Sequence, residues 1–205
     1  NLIEIFKSFN KKSLKTIRGL WAELFIIYSS SDPNNLIKCW HQDKSDRYDF
    51  SSDFINLEIK SRSKLNIVEA HFSINQAYPP KGTQKVLICS VYVNSNSSGM
   101  SVLDLKEAIT NKIKSKQIKD KLDINFYKIL GTNIDNSEIN MTYDNNTASA
   151  NCLLFDLDKI PKVPQKMPLE ILDVSFKVDL TNVEQANLAK FKKYPLLQKL
   201  NSIIN

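Results

Sequence analysis

Between residues 13 and 28, apolar side chains fall at Leu14, Ile17, Trp21, Leu24 and Tyr28. That spacing predicts a helix with one buried face, and the run ends in the turn cluster SSSDP. Within this helix Glu23 is the sole charge from Gly19 to Tyr28, on the same face as Leu20 and Ile27, so its carboxylate must reach the rim or find a partner. The pattern then changes. Stretches 36–42, 47–50 and 54–61 are short, bounded by DKSD and SSD, and predict three consecutive antiparallel strands. EAHFSINQA at 69–77 predicts a short helix ending before YPPKG, and KVLICSVYV at 85–93 is a continuous apolar run of the kind that forms a buried strand.

After the loop NSNSSG, Ser101 is placed to cap a helix beginning VLDLKEAI, with Asp104 as its partner three residues on, and helical sequence continues to about residue 130. Strands are expected over 138–144, 149–157 and 169–180, the last two separated by a proline-punctuated connector, with a C-terminal helix over 182–204. There is no internal repeat. The expected organisation is one compact α/β (α+β) domain: residues 1–94 form a core and 95–205 an extension packed on it.

Composition narrows this picture modestly. The 205 residues are 42% hydrophobic, enough for one sizeable core. No stretch approaches the roughly 18 continuous apolar residues of a membrane span, so a soluble protein is expected. Cys39, Cys89 and Cys152 have no paired spacing and apolar or aromatic neighbours, which predicts buried thiols, a reducing compartment and hence a cytoplasmic location. The chain opens on Asn with no charged-then-apolar leader, so its start is read as a processing boundary with further residues upstream. The net charge is +6. It fits a polyanionic partner, although the lysine clusters at 7–15, 112–121 and 190–199 equally suit solvated helix faces.

The candidate chemistry lies in RYDFSSDFINLEIKSRSK, residues 47–64. Ile55, Leu57 and Ile59 alternate with Asn56, Glu58 and Lys60, so one face of this strand enters the core while Glu58 and Lys60 share the other. A two-residue loop at Ser52-Asp53 would set Asp49 opposite Asn56 on that polar face, about 7 Å diagonally from Glu58. A three-residue loop would turn Asp49 to the apolar face unless a bulge intervened. Asp49, Glu58 and the Ile59 carbonyl would then hold Mg2+, with Mn2+ as its substitute. Lys60 would hold the attacking water and the scissile phosphate, and Glu23 would bind through water or transfer a proton: the chemistry of phosphodiester hydrolysis. Arg62, Lys64 and Lys81 are close enough in sequence to contact a nucleic-acid backbone. His41 and His71, the two histidines, stand in no nucleophile motif, and there is no glycine-rich phosphate loop.

With GLWAELFIIY at 19–28, YDFSSDFINLEIKS at 48–61, HFSINQA at 71–77, KVLICSVYV at 85–93 and VSFKVDL at 174–180, the chain resembles the PD-(D/E)XK nuclease superfamily. More narrowly, it is similar to bacterial PD-(D/E)XK motif proteins found beside phage-defence genes. The resemblance implies a restriction-endonuclease-like core of helix, three-strand meander, helix and strand. It implies Glu23 as the helix acid, Asp49 and Glu58 as metal ligands and Lys60 as the catalytic lysine. Ser73 and Gln76 match a Ser-x-x-Gln pattern that follows the lysine strand, which places Gln76 near the scissile phosphate and Ser73 near the DNA backbone. The chain departs from the family's GLxGEL segment at Ala22, a tolerable helix substitution. The implied activity is a metal-dependent endonuclease acting on double-stranded DNA, a component of a restriction or anti-phage system with ATPase or methyltransferase subunits as possible partners, and homodimeric if it cuts both strands. The competing classes are a non-catalytic nucleic-acid-binding or assembly subunit with the same fold and a structural protein without a nucleic-acid role.

Overall fold

The structure is a computed structural model that describes residues 14–41, 47–131 and 136–200, apart from 167, 169, 172, 192 and 199. Helix α1 (Leu14–Ser29) forms where the apolar spacing predicts it, with Ile17, Trp21, Leu24 and Phe25 fully buried. The chain does not then enter a strand over 36–41, and residue 42 of the expected strand lies outside the described residues. The Asp32 carboxylate accepts from the Asn35 N–H at 3.2 Å, and Pro33 occupies a first-turn position where its missing N–H costs nothing. These two residues start helix α2 (Pro33–Cys39), so the SSSDP cluster both ends one helix and begins the next. Of the expected three-strand meander, the first member survives only as a bridge between Trp40 and Phe50.

Strand β1 (Phe50–Ser51) pairs antiparallel with β2 (Ile55–Arg62), with Phe50 opposite Leu57 and Ser51 opposite Asn56. This register differs from the expected one by two residues. The Ser52 hydroxyl accepts the N–H groups of Phe54 and Ile55 and its backbone N–H donates to the Ile55 carbonyl, so Ser52 closes the ladder and the turn tip moves to Asp53-Phe54. A shift of two preserves the face on which each side chain lies. The β1–β2 ladder ends at Phe50, and Asp49 joins β2 through its side chain, whose Oδ2 accepts the Ile59 N–H at 2.7 Å.

Strand β2 runs parallel to β4 (Lys85–Tyr92), in register from Ile55 opposite Lys85 to Arg62 opposite Tyr92, and β4 pairs antiparallel with β6 (Cys152–Asp156). The sheet order is β1-β2-β4-β6. A parallel pair needs a crossover, and here it contains β3 (Glu69–Ser73) and the single turn α3 (Ile74–Ala77). Residues 69–73 are therefore a strand, not the start of a helix: Ala70 and Phe72 alternate inward, and β7 (Ser175–Asp179) supplies the partner from a hundred residues away.

In the second half, Ser101 and Asp104 form the expected reciprocal cap on α4 (Val102–Lys112), followed by α5 (Lys116–Leu130). The expected loop before Ser101 contains β5 (Ser95–Met100). The expected strand over 138–144 is instead a helical turn, α6 (Asn136–Ile139), and then Tyr143, which bridges to Ser95 and Met100. Gly99 is required there, since a Cβ would lie 2.1 Å from the Tyr143 carbonyl oxygen. Helix α7 (Asn145–Ala150) precedes β6. The expected C-terminal helix is absent among the described residues of 182–204. That segment holds a 3-10 turn (Leu188–Phe191) and α8 (Pro195–Gln198), separated at Pro195, which cannot continue a helix begun before it; residues 201–204 lie outside the described set. Among the described residues no helix is long and apolar enough to cross a membrane.

The sheet has a core on each side. Ile55, Leu57, Ile59, Leu87 and Cys89 pack with α1, α2, α4 and α5, whereas Val86, Ile88 and Phe155 pack with Tyr48, Val68, Phe72 and Val178 around β3 and β7. The polar face of β2 is therefore covered rather than solvent-exposed: Glu58 is 4% exposed.

Candidate active site

Glu23, Asp49, Glu58, Lys60 and Gln76 form two linked groups. In the first, Glu23 emerges from the middle of α1 and meets the chain leaving α2. Its Oε2 accepts the Trp40 Nε1–H at 2.7 Å and lies 2.8 Å from His41 Nε2. His41 Nε2 is 3.8 Å from Asp49 Oδ1, while the His41 backbone N–H donates to the Asp49 carbonyl at 2.9 Å. Donor atoms of Glu23, His41 and Asp49 all lie within 4.8 Å of one another. A buried amide, Asn125 Nδ2 on α5, holds the Trp40 carbonyl at 2.8 Å and so fixes the corner that carries His41.

The second group is centred on Glu58. Its Oε1 accepts Lys60 Nζ at 2.6 Å and Gln76 Nε2 at 2.8 Å, and Lys60 Nζ also reaches Gln76 Oε1 at 3.3 Å. Lys60 sits above the Phe72 ring, 5.2 Å from its centroid. Ser73 caps α3, its hydroxyl accepting the Gln76 N–H at 3.2 Å while Gln76 Oε1 accepts the Ser73 N–H. Gln76 is thus aimed by its own helix turn. That turn is fastened from the hairpin side, because Tyr48 Oη donates to the Gln76 carbonyl at 2.9 Å and Arg47 donates to the Asn75 and Tyr78 carbonyls.

Two backbone contacts join the groups. The Ile59 N–H donates to Asp49 Oδ2 at 2.7 Å, and the Asp49 N–H donates to the Glu58 carboxylate. Ile59 thus presents its N–H, not its carbonyl, to Asp49.

Charge explains the titration behaviour. Burial first, then the neighbouring Glu58 and Glu23 carboxylates, push the Asp49 carboxyl well above its usual range, with the Ile59 N–H and Lys60 acting against the rise. Burial also raises Glu58 despite the opposing effect of Lys60. Tyr48, buried beside these groups, is pushed up to about 12. Three carboxylates share the site with one lysine, and the negative charge they would carry together is undercompensated. A divalent cation fits the first group, where one donor atom each from Glu23, His41 and Asp49 lies within 4.8 Å of the others, and it would offset the carboxylate repulsion that adds to burial in raising Asp49 and Glu58.

The remaining expected contacts divide by exposure. Lys64 and Lys81 lie at the surface, and Lys64 makes only a 4.0 Å ion pair with Glu69. Arg62 points inward, contrary to its expected role on a nucleic-acid backbone. It is 6% exposed, its Nη atoms donate to the Lys64 and Asn151 carbonyls, and its guanidinium lies over Tyr92. An arginine so engaged pins strand ends together. His41, Trp40, Arg47 and Tyr48 were not expected at the site; the one local signal was that KCWH and RYD flank the proposed hairpin on either side of DKSD.

A family described as "Putative PD-(D/E)XK family member, (DUF4420)" matches residues 3–181. The mixed sheet with helices is consistent with the restriction-endonuclease-like fold of PD-(D/E)XK proteins. No curated protein and no solved structure matches the chain.

Proposed function

We propose, from the premise that the chain belongs to this PD-(D/E)XK family, that it is a metal-dependent DNA endonuclease. The observation that carries the proposal is the hydrogen-bonded linkage of Asp49, Glu58 and Lys60 at the hairpin, with Glu23 and Gln76 brought in from two helices. Asp49 and Glu58 would hold the cation, with the Ile59 carbonyl as a further oxygen. When bound, the ion supplies positive charge at the phosphate and makes a water acidic enough to attack at neutral pH.

The protein's own groups then have distinct tasks. Lys60 carries an ammonium that Glu58 and Gln76 hold in place, so its charge stays directed at the phosphate oxygens and costs no reorganisation when negative charge develops there. Gln76 keeps its amide between Glu58 and Lys60 and fixes the separation of acid and base. Glu23 faces His41 and Asp49 and not the lysine, which supports a role at the ion or in proton transfer. Lys64 and Lys81 would contact the backbone of duplex DNA, and the net charge of +6 favours that encounter.

Residues 1–94 supply all of these groups, with 95–205 as the supporting extension. The setting we infer is a cytoplasmic restriction or anti-phage system, with Mg2+ or Mn2+ as the ion and an ATPase or methyltransferase subunit as partner. Digestion of plasmid DNA in Mg2+, Mn2+ and EDTA, beside Asp49→Ala and Lys60→Ala, tests the proposal. Cutting that depends on metal and disappears in both variants is expected; metal-dependent cutting that survives both would sink the site.

A further inference from the structure

We infer that His41 is a nitrogen ligand of the site's cation, and that the ion bound by Glu23, His41 and Asp49 is of the Mn2+ class in preference to Mg2+. This rests on the nuclease reading for the presence of an ion and alters its ligand set, with Glu23 and His41 beside Asp49 in place of Glu58. The geometry is direct. Around an octahedral ion with bonds of about 2.1 Å, adjacent ligand atoms lie about 3.0 Å apart and opposite ones about 4.2 Å. Glu23 Oε2 and His41 Nε2 are separated by 2.8 Å, His41 Nε2 and Asp49 Oδ1 by 3.8 Å, and all three donors fall within 4.8 Å. The first separation is that of adjacent ligands and the second lies between the adjacent and opposite values, so an ion that drew the Asp49 oxygen inward would meet all three donors. The Glu58 Oε1 atom, by contrast, is taken by Lys60 and Gln76.

The three donors are also held from behind, as metal ligands commonly are. Trp40 Nε1 fixes Glu23, the Ile59 N–H fixes Asp49, and the backbone contact from His41 to the Asp49 carbonyl ties the imidazole's own residue to the carboxylate it faces. His41 adopts φ of 40°, a positive value uncommon outside glycine, and its ring lies against Glu23. Donor type sets the ion class. Mg2+ is bound through oxygen and gives up its waters reluctantly, whereas first-row transition ions accept an imidazole nitrogen, and Mn2+ is the one among them that the two carboxylates also suit.

The test uses the whole chain with Mn2+ alone and reads the ion by electron spin echo modulation, without DNA. In the wild type, bound Mn2+ is expected to show coupling to a directly ligated nitrogen, and labelling with 15N-histidine is expected to change that pattern with no mutation. His41→Asn, chosen because Asn tolerates positive φ, should abolish the nitrogen coupling and weaken Mn2+ binding about tenfold or more, with a much smaller change for Mg2+ measured by competition. His71→Asn should retain both. Bound Mn2+ with oxygen ligands only, or coupling that survives His41→Asn, overturns the assignment of His41 and leaves the nuclease reading standing. No Mn2+ binding by the wild type, or binding unaffected by Asp49→Asn, overturns both.

Discussion

On one face of β2, Ile55, Leu57 and Ile59 lie against Leu87, Cys89 and the helices behind them; on the other, Asn56, Glu58 and Lys60 lie beside Val86, Ile88 and Ser90. Both faces are covered, yet they are held by different physics. The apolar face needs only shape and exclusion of water, so any well-fitting neighbour suffices. The polar face needs a specific partner for each buried group, and Glu58 and Lys60 find theirs in Gln76, beyond the strand's own pairings. Carboxylates brought together under cover carry the cost of burial and of their mutual repulsion.

The sharpest way to separate the faces is to remove function without removing the fold. Asp49→Ala or Lys60→Ala should lower DNA cleavage by about 100-fold or more while leaving cooperative thermal unfolding in place; cutting at the wild-type rate would erase the distinction. On the opposite face, Leu57→Ala opens a cavity in a fully buried position and should cost about 2–5 kcal/mol in urea unfolding. A cost no larger than that of a surface change would mean the apolar face is not the stabilising one.

A smaller effect has the opposite sign. The Asp49 and Glu58 carboxyls are raised in the folded chain, so over the range between their unfolded and folded values the native state holds more protons than the unfolded one. Stability without metal should therefore be greatest below the usual carboxylate range and fall as pH rises through the raised values. Asp49→Asn should stabilise the metal-free protein at neutral pH by on the order of 1 kcal/mol and remove part of this slope. An unchanged melting profile from pH 4 to 7 would refute the account. The smallest change is expected at Ser90, which lies opposite Lys60 with a buried hydroxyl that has no hydrogen-bond partner among the described residues. Ser90→Ala should shift stability by less than about 0.5 kcal/mol, or raise it slightly, because no bond is lost.

Much of this contrast was legible along the chain. Alternation from Ile55 to Lys60 told which side chains share a face, helical spacing from Leu14 placed Glu23 on α1, and Ser101 with Asp104 announced a helix start. The misses share a cause. Residues 69–73 become a strand because β7 pairs with them, and nothing within 69–77 encodes that partner. Asp32-Pro33 satisfies the rules for a turn and for a helix start equally, and the packing of Leu36 and Ile37 chose the helix. Arg62 reads as a surface cation until Asn151, nearly ninety residues away, supplies its carbonyl.

The sequence by itself determined the periodicities, and through them the helix that carries Glu23 and the strand face that carries Glu58 and Lys60, because side-chain direction in a helix or strand is a local consequence of backbone geometry. Only the tertiary structure decided that the polar face is covered and that His41 comes within 3.8 Å of Asp49. Those outcomes depend on which distant segment satisfies each buried donor and acceptor. That choice is settled by packing of the whole chain, and no local pattern records it.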